Sequence, residues 1–170
     1  MLHIVLFEPE IPENTGNIIR TCVGFNAQLH LIRPYGFFLN DKRLKRSSVT
    51  YMHELKIHEY DCFDDFLKLN NIQPNDKRIY LITRYGLKTS KNIDFKTKSD
   101  IYLMFGKEST GIRKEILKEF KEQTIRIPSS NKVRSLNLAN CVAMLTYQYA
   151  LNNDFFGLDL SEPFKKNYLD

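Results

Sequence analysis

Cysteine is scarce in this chain of 170 residues: Cys22, Cys62 and Cys141 are the three it has. They are odd in number and far apart, and no CxxC or Cys/His pair has the spacing of a zinc site. That excludes a disulfide framework and a zinc module, and leaves three reduced thiols of a cytosolic protein. No apolar run approaches the ~20 residues that a membrane span needs. The opening MLHIVLFEPE lacks a basic segment ahead of its apolar one, so it reads as a first strand and not as a signal peptide. The dinucleotide pattern G-x-G-x-x-G occurs nowhere. There is no internal repeat and no low-complexity linker. What remains is ordinary: 42% hydrophobic and 26% charged residues, the composition of a globular domain. A chain of this length suits one domain, able to bury roughly 70% of its unfolded surface.

The net charge is +5, a modest basic bias that permits nucleic-acid binding without proving it. Its distribution says more. Asp41-Lys42-Arg43-Leu44-Lys45-Arg46 concentrates cations in one run, and Lys132 with Arg134 forms a smaller group. Such a run is either a solvated face or a phosphate-binding one.

Periodicity predicts a strand over Leu2 to Phe7, then a proline-stiffened loop, Glu8-Pro9-Glu10-Ile11-Pro12. A helix capped by Asn14 or Thr15 follows to about Asn26, with Ile18, Ile19, Cys22, Val23 and Phe25 on one face. Leu29 to Ile32 is a second strand, so the first part is a strand–helix–strand unit, which implies a parallel sheet. Pro34 to Ser48 reads as irregular and basic with at most one helical turn. Asp61 is expected to cap a helix through Leu69. Further strands are expected at Ile79 to Thr83, Ile101 to Phe105 and Thr124 to Ile127. Lys88 to Ser99 reads as loop. Helices are expected over Ile112 to Phe120 and over Ser135 to Leu151, the latter capped by Ser135. The sum is one α/β domain, a mostly parallel sheet with helices on both faces, and a tail from Asn152 without clear periodicity.

In open α/β sheets ligands bind beyond the carboxyl ends of strands. Three such ends here are chemically loaded. The first is Glu8-Pro9-Glu10-Ile11-Pro12-Glu13-Asn14 with Arg20 two turns on; Arg20 is either a surface cation or a guanidinium fork for phosphate or ribose. The second is Phe105-Gly106-Lys107-Glu108-Ser109-Thr110-Gly111. It has the first six positions of a P-loop, but Ile112-Arg113 stands where Lys-Ser/Thr is required, so nucleoside-triphosphate chemistry loses its main parts. The third is Ile127 to Ala143, in which Asn137 and Asn140 share one helical face and need partners, either each other or a ligand.

Taken together, EPEIPENTGNIIRTC, LMFGKESTGI and IRIPSSNKVRSLNLANCVA resemble the three signature motifs of the SPOUT methyltransferases. DKRLKR between them is similar to the branch that methylates the ribose of the wobble nucleotide, cytidine or uridine, of tRNA. The resemblance covers about residues 1 to 151 and implies what periodicity cannot show. The domain would carry a deep trefoil knot at about residues 79–151, followed by a tail at 152–170. It would bind S-adenosylmethionine and work as a homodimer. Carried over by position, Ile82, Thr83, Gly106, Ile127, Ser135 and Leu136 would hold the cofactor, largely by backbone. Arg20 would be the leading catalytic residue, with Asn14, Glu108, Ser135 and Asn137 around it. Ser129-Ser130-Asn131-Lys132-Val133 departs from the stretch that relatives commonly carry there, which puts the shape of that loop in doubt. No metal and no membrane are implied.

The reaction implied is displacement by the 2'-hydroxyl oxygen. A ribose hydroxyl is a poor acid, and no histidine lies in the three motifs. Arginine is effectively always protonated, so Arg20 is better read as holding a phosphate and stabilising developing oxyanion character, with Glu108 accepting the proton or orienting Arg20. The basic run gains a purpose: Lys42, Arg43, Lys45 and Arg46 would contact phosphates of the tRNA anticodon stem-loop. Tyr51 and His53 would be candidates to stack its bases. The rivals are a ribose methyltransferase acting on another tRNA position or on ribosomal RNA, and an RNA-binding relative that has lost catalysis.

Overall fold

Strand β1 (Leu2–Phe7) lies in the middle of a seven-stranded sheet, and its sequence accounts for that place. It is apolar at nearly every position because both of its faces are covered, the pattern of a parallel strand inside an α/β domain. Leu2, Ile4 and Leu6 pack into one core cluster, and Val5 and Phe7 into another on the opposite face. The computed structural model describes residues 1–48, 51–96 and 98–165, with the side chain of Lys45 outside the described residues, as are residues 166–170 of the tail.

The other strands are β2 (Gln28–Ile32), β3 (Ile57–Tyr60), β4 (Ile79–Ile82), β5 (Lys88–Thr89), β6 (Ile101–Phe105) and β7 (Thr124–Arg126). The sheet order is β3-β2-β1-β6-β4-β7-β5, and every pairing is parallel. The helices are α1 (Pro12–Gly24), α2 (Lys42–Ser48), α3 (Phe63–Leu69), α4 (Lys114–Glu119) and α5 (Leu138–Asn152). Ile18, Ile19 and Cys22 of α1, Leu44 of α2 and Val142 and Leu145 of α5 bury against one face of the sheet. Phe63 and Phe66 of α3 and Ile116 of α4 bury against the other. The expected parallel sheet with helices on both faces is therefore what the chain forms.

Several boundaries differ from expectation, each for a local reason. Helix α1 starts at Pro12 and not after Asn14: Pro12 has no N–H to satisfy, and the Ile11 amide donates to the Glu108 carboxylate at 3.3 Å. The helix ends at Gly24, and Asn26 takes a left-handed conformation at φ 53°. Asp61 does not cap α3; Cys62 holds that position, and Asp61 accepts from Arg33 Nη1 at 2.9 Å. The basic stretch holds a two-turn helix, α2, because Asp41 Oδ1 accepts the Arg43 amide at 2.8 Å and the fully buried Leu44 anchors the helix. Ser135 is not the cap of α5. Asn137 is, accepting the Asn140 amide at 3.2 Å, and the helix begins at Leu138. Two strands went unread: β3 is an edge strand, and β5 has two residues inside the expected loop.

Candidate active site

Four adjacent strands, β1, β6, β4 and β7, end on the same side of the sheet because all are parallel. Beyond β6, β4 and β7 lies a cavity of about 620 Å³, closed on one side by the start of α5. That volume lies within the range of small-molecule sites, roughly 300–1,000 Å³.

The wall is built from the three loaded strand ends, joined by a chain of hydrogen bonds. Asn137 Nδ2 donates to Asn14 Oδ1 at 3.0 Å. Asn14 Nδ2 donates to Glu108 Oε1 at 2.9 Å. Glu108 Oε2 accepts the Glu10 amide at 2.9 Å. The exchange is reciprocal, since Glu10 accepts the Ser109 amide and hydroxyl, both at 2.9 Å. The Ser109 hydroxyl and amide hold the Glu10 carboxyl below its ordinary range. One turn back, the buried carboxylate of Glu8 meets Lys107 Nζ at 3.2 Å and the Arg113 guanidinium, in a left-handed conformation at φ 52°. These contacts clasp the loop after β1 to the loop after β6.

Gly106 and Gly111 close that second loop. A Cβ on Gly106 would stand 2.2 Å from the Gly111 carbonyl carbon, and Gly111 itself sits at φ 77°. Both positions therefore need glycine, the first for close approach and the second for its backbone conformation.

All six residues expected to hold the cofactor line this cavity: Ile82, Thr83, Gly106, Ile127, Ser135 and Leu136. Asn14, Glu108 and Asn137 line it too. Arg20 does not. It is exposed on α1, its guanidinium carbon 5.7 Å from the centroid of the half-buried Tyr51 ring. Glu108 is bonded to Glu10, Ile11 and Asn14, so the expectation that it orients Arg20 is not met in this chain. The Asn137 side chain finds its partners in the Asn140 backbone amide and in Asn14, so it is bonded within the protein, but not to the Asn140 side chain, which is exposed. Lys42 and Arg46 are exposed on α2 and have no ion-pair partner among the described residues, whereas Arg43 pairs with Asp41 at 3.1 Å. His53 is exposed.

Sequence reasoning did not single out Arg84, Tyr85, Lys107 and Arg126, which line the cavity, and read Arg134 only as part of a small cationic group. Arg84 and Tyr85 directly follow β4, so the strand-end rule that singled out Gly106 would have found them. Cys141 also faces the cavity, and burial pushes its thiol pKa up, which keeps it protonated and unreactive. Among the described residues no group of three or more His, Cys, Asp or Glu could hold a metal ion, and no helix is long and apolar enough to cross a membrane.

Residues 1–147 match the SpoU rRNA Methylase family. The chain belongs to that family. A Geobacillus stearothermophilus member, provisionally named tRNA (cytidine(34)-2'-O)-methyltransferase, is 46% identical over 158 residues, 92% of this chain and 98% of that one. A Mycoplasma genitalium member with the same provisional name is 44% identical over 161 residues, 94% of this chain and 95% of that one. A solved structure described as "Structural insights into the 2-OH methylation of C/U34 on tRNA" is 36% identical, with a TM-score of 0.81, over 91% of this chain and 97% of that one. Within the SpoU family, then, this chain resembles members named for tRNA, although the family's description names rRNA.

Proposed function

We propose that this protein transfers a methyl group from S-adenosylmethionine to the ribose 2'-hydroxyl of the wobble nucleotide of tRNA, cytidine or uridine at position 34. The observation that carries the reading is the cavity: one open cleft at the strand ends, walled by all three motifs through the Asn137–Asn14–Glu108 chain. S-adenosylmethionine fits what is present. The floor is apolar, with Ile82, Phe105, Ile127 and Leu138, and the Gly106 turn is drawn so tight that no side chain separates its backbone from a ligand. Bound there, the cofactor supplies an electrophilic methyl group.

The chain's own residues divide the remaining work. Glu108 and Asn14 hold the loops, because every polar atom the structure gives them is engaged within the protein. Ser135 is exposed and lines the cavity, so its hydroxyl is placed to accept a hydrogen bond from the ribose hydroxyl, whose proton then passes to water. Positioning of this kind supplies much of an enzyme's advantage. Arg20 stands outside its own chain's cavity, and its role is to hold an RNA phosphate and stabilise developing oxyanion charge. Lys42, Arg43 and Arg46, exposed on α2, extend that cationic surface towards the anticodon stem-loop.

The same reading takes the chain as a homodimer. Helix α5 leaves Met144, Tyr147 and Leu151 exposed at 46, 52 and 52%, a stripe at helical spacing suited to a second copy. It takes residues 1–151 as the catalytic domain, with 79–151 knotted and 152–170 a tail, and it places the protein in the cytoplasm, where tRNA is. Insertion of β6 between β1 and β4, and the return of α5 onto α1, support the knotted path.

The test is methyl transfer from labelled S-adenosylmethionine to tRNA, followed by nucleoside mass spectrometry. The expected product is a 2'-O-methylated nucleotide at position 34, and a tRNA with 2'-deoxyribose there should accept nothing. Label at another position, or label in the deoxy substrate, refutes the assignment.

A further inference from the structure

The rim of the cavity carries a feature that the motifs do not account for. Tyr85 lines the cavity and is 63% exposed. The Arg84 guanidinium carbon lies 4.5 Å from the centroid of its ring, and Arg84 Nη2 also donates to the Tyr85 hydroxyl. An exposed aromatic ring braced by a guanidinium presents the flat surface that a nucleobase stacks upon.

The backbone that carries the ring is tied into a turn. Tyr85 N donates to Thr83 Oγ1 at 3.3 Å, and Gly86 N donates to the Thr83 carbonyl at 3.2 Å, which folds the four residues after β4 into a turn. Arg126 Nη1 donates to the Arg84 carbonyl at 2.6 Å and ties the turn to the end of β7. At Gly86 a Cβ would stand 2.3 Å from the Arg126 amide nitrogen, so the turn lies directly against that strand.

The charge around the ring distinguishes the two candidate ligands. Arg84, Arg126 and Arg134 line the same cavity as Tyr85, Arg84 against its ring and Arg126 bonded to the Arg84 carbonyl. A guanidinium cluster attracts phosphates and opposes a sulfonium cation. The cofactor's place is therefore the apolar strand-end floor, and the cationic, aromatic rim belongs to the polyanion. Tyr51, the aromatic residue that the motif reading favoured for base stacking, is half-buried beneath Arg20 and does not line the cavity.

We propose that Tyr85, braced by Arg84, is the platform on which an unstacked base of the RNA substrate stacks beside the reacting ribose, with Arg84, Arg126 and Arg134 meeting the adjoining phosphates. This rests on the reading of the cavity as an RNA methylation site, and it adds the residue that grips the substrate base. Single-stranded bases are recognised in this way by aromatic side chains and guanidinium planes.

The experiment is binding, independent of turnover. An anticodon stem-loop carrying 2-aminopurine in the loop is titrated with the wild-type protein and with Tyr85→Ala, Tyr85→Phe and Arg84→Ala, in the presence of S-adenosylhomocysteine. Stacking on Tyr85 quenches the fluorophore in the wild type. Tyr85→Ala removes the quench and weakens RNA binding by about fivefold to a hundredfold, the loss expected for one stacked base. Tyr85→Phe restores both, and Arg84→Ala gives an intermediate loss. The Kd for S-adenosylhomocysteine, measured by calorimetry without RNA, is the same in all four proteins. A weaker Kd for that ligand in Tyr85→Ala would assign the ring to the cofactor's adenine and overturn the proposal, as would unchanged RNA affinity and quench. If the wild type binds the stem-loop but methylates nothing, the catalytic reading fails while the Tyr85 comparison still decides this one. If the wild type binds no RNA, both fall.

Discussion

Replacing Glu108 by glutamine separates a residue that holds loops from one that takes a proton. In the structure the carboxylate accepts three hydrogen bonds: Oε1 from Asn14 at 2.9 Å and Ile11 at 3.3 Å, and Oε2 from the Glu10 amide at 2.9 Å. Glutamine has one acceptor oxygen. Whichever way the amide lies, an NH2 group faces an N–H: the Glu10 amide in the better orientation, two donors in the worse. The better orientation loses one charge-assisted bond at a half-buried site and sets one donor against another. That costs about 1–2 kcal/mol, which in a chain of this size lowers Tm by roughly 2–8 °C. Because Asn14 and the loop after β6 both shift, cofactor affinity should fall with stability. Turnover should fall as well, but the pH profile should keep its shape. The partner substitution sharpens the test. Asn14→Asp alone sets two carboxylates against each other across a 2.9 Å gap and should be worse. In the double variant Glu108→Gln/Asn14→Asp, the glutamine amide can donate to the new carboxylate, which still accepts from Asn137, so part of the stability should be recovered. Differential scanning calorimetry, calorimetric cofactor titration and a pH–rate profile supply the readouts. The reasoning is refuted if Glu108→Gln keeps wild-type Tm and cofactor affinity, yet loses turnover together with the acidic limb of the profile; Glu108 would then be the proton acceptor.

Three further outcomes are expected. Gly106→Ala drives a Cβ to 2.2 Å from the backbone of Gly111, so calorimetric titration should show S-adenosylhomocysteine binding weakened at least tenfold with the fold intact; wild-type affinity would show that the turn is not part of the cofactor cradle. Neutralising Lys42 and Arg46 to glutamine should flatten the salt dependence of tRNA binding by roughly 0.7–0.9 in log–log slope for each phosphate that is no longer neutralised, leaving cofactor affinity unchanged; an unaltered slope removes α2 from the interface. His30 is buried, and burial with the neighbouring His3 and His58 lowers its pKa to about 3. Its unfolded value is near 6.5, so between those values the unfolded chain binds the extra proton. Stability is therefore full above about pH 6.5 and lost as pH falls, by about 2 kcal/mol at pH 5 from this residue alone. Urea titrations at pH 7.5 and 5 should show that loss, and His30→Gln should shrink it.

The central strands were legible and the edge strands were not, for one physical reason. β1 and β6 are buried on both faces and so read as unbroken apolar runs, LHIVLF and IYLMF. β3 is an edge strand whose sequence, IHEY, alternates too weakly over four residues to stand out, and β5 has only two residues. The parallel sheet followed from the strand–helix–strand pattern, and once its strands are parallel their carboxyl ends must lie together. That is why all six expected cofactor residues reach one cavity. The start of α1 was misplaced because its acceptor comes from far away in sequence. The amide at the start of α1 is satisfied by Glu108, a residue 97 positions on, and no local capping rule can anticipate that bond.

The same distance argument changes what the polar motif residues mean. Asn14, Glu108 and Asn137 look chemical in sequence, being polar groups at strand ends and a helix start. In the fold they spend their hydrogen bonds on one another and on backbone amides, and together with the contacts of Glu8 and Glu10 they tie the three segments to one another. Their removal should therefore be felt as disorder in the loops before it is felt as a change in chemistry. Exposed polar or aromatic residues that line the cavity outside this network include Thr110, Ser135, Arg84, Tyr85 and Arg134. Arg84 and Tyr85 did not stand out in sequence, and Arg134 did so only as part of a small cationic group with Lys132. A ligand bonds most readily to groups with donors or acceptors to spare, so the substrate-facing side of this site is to be sought on the loops after β4 and β6 and just ahead of α5, with the motif residues as its frame.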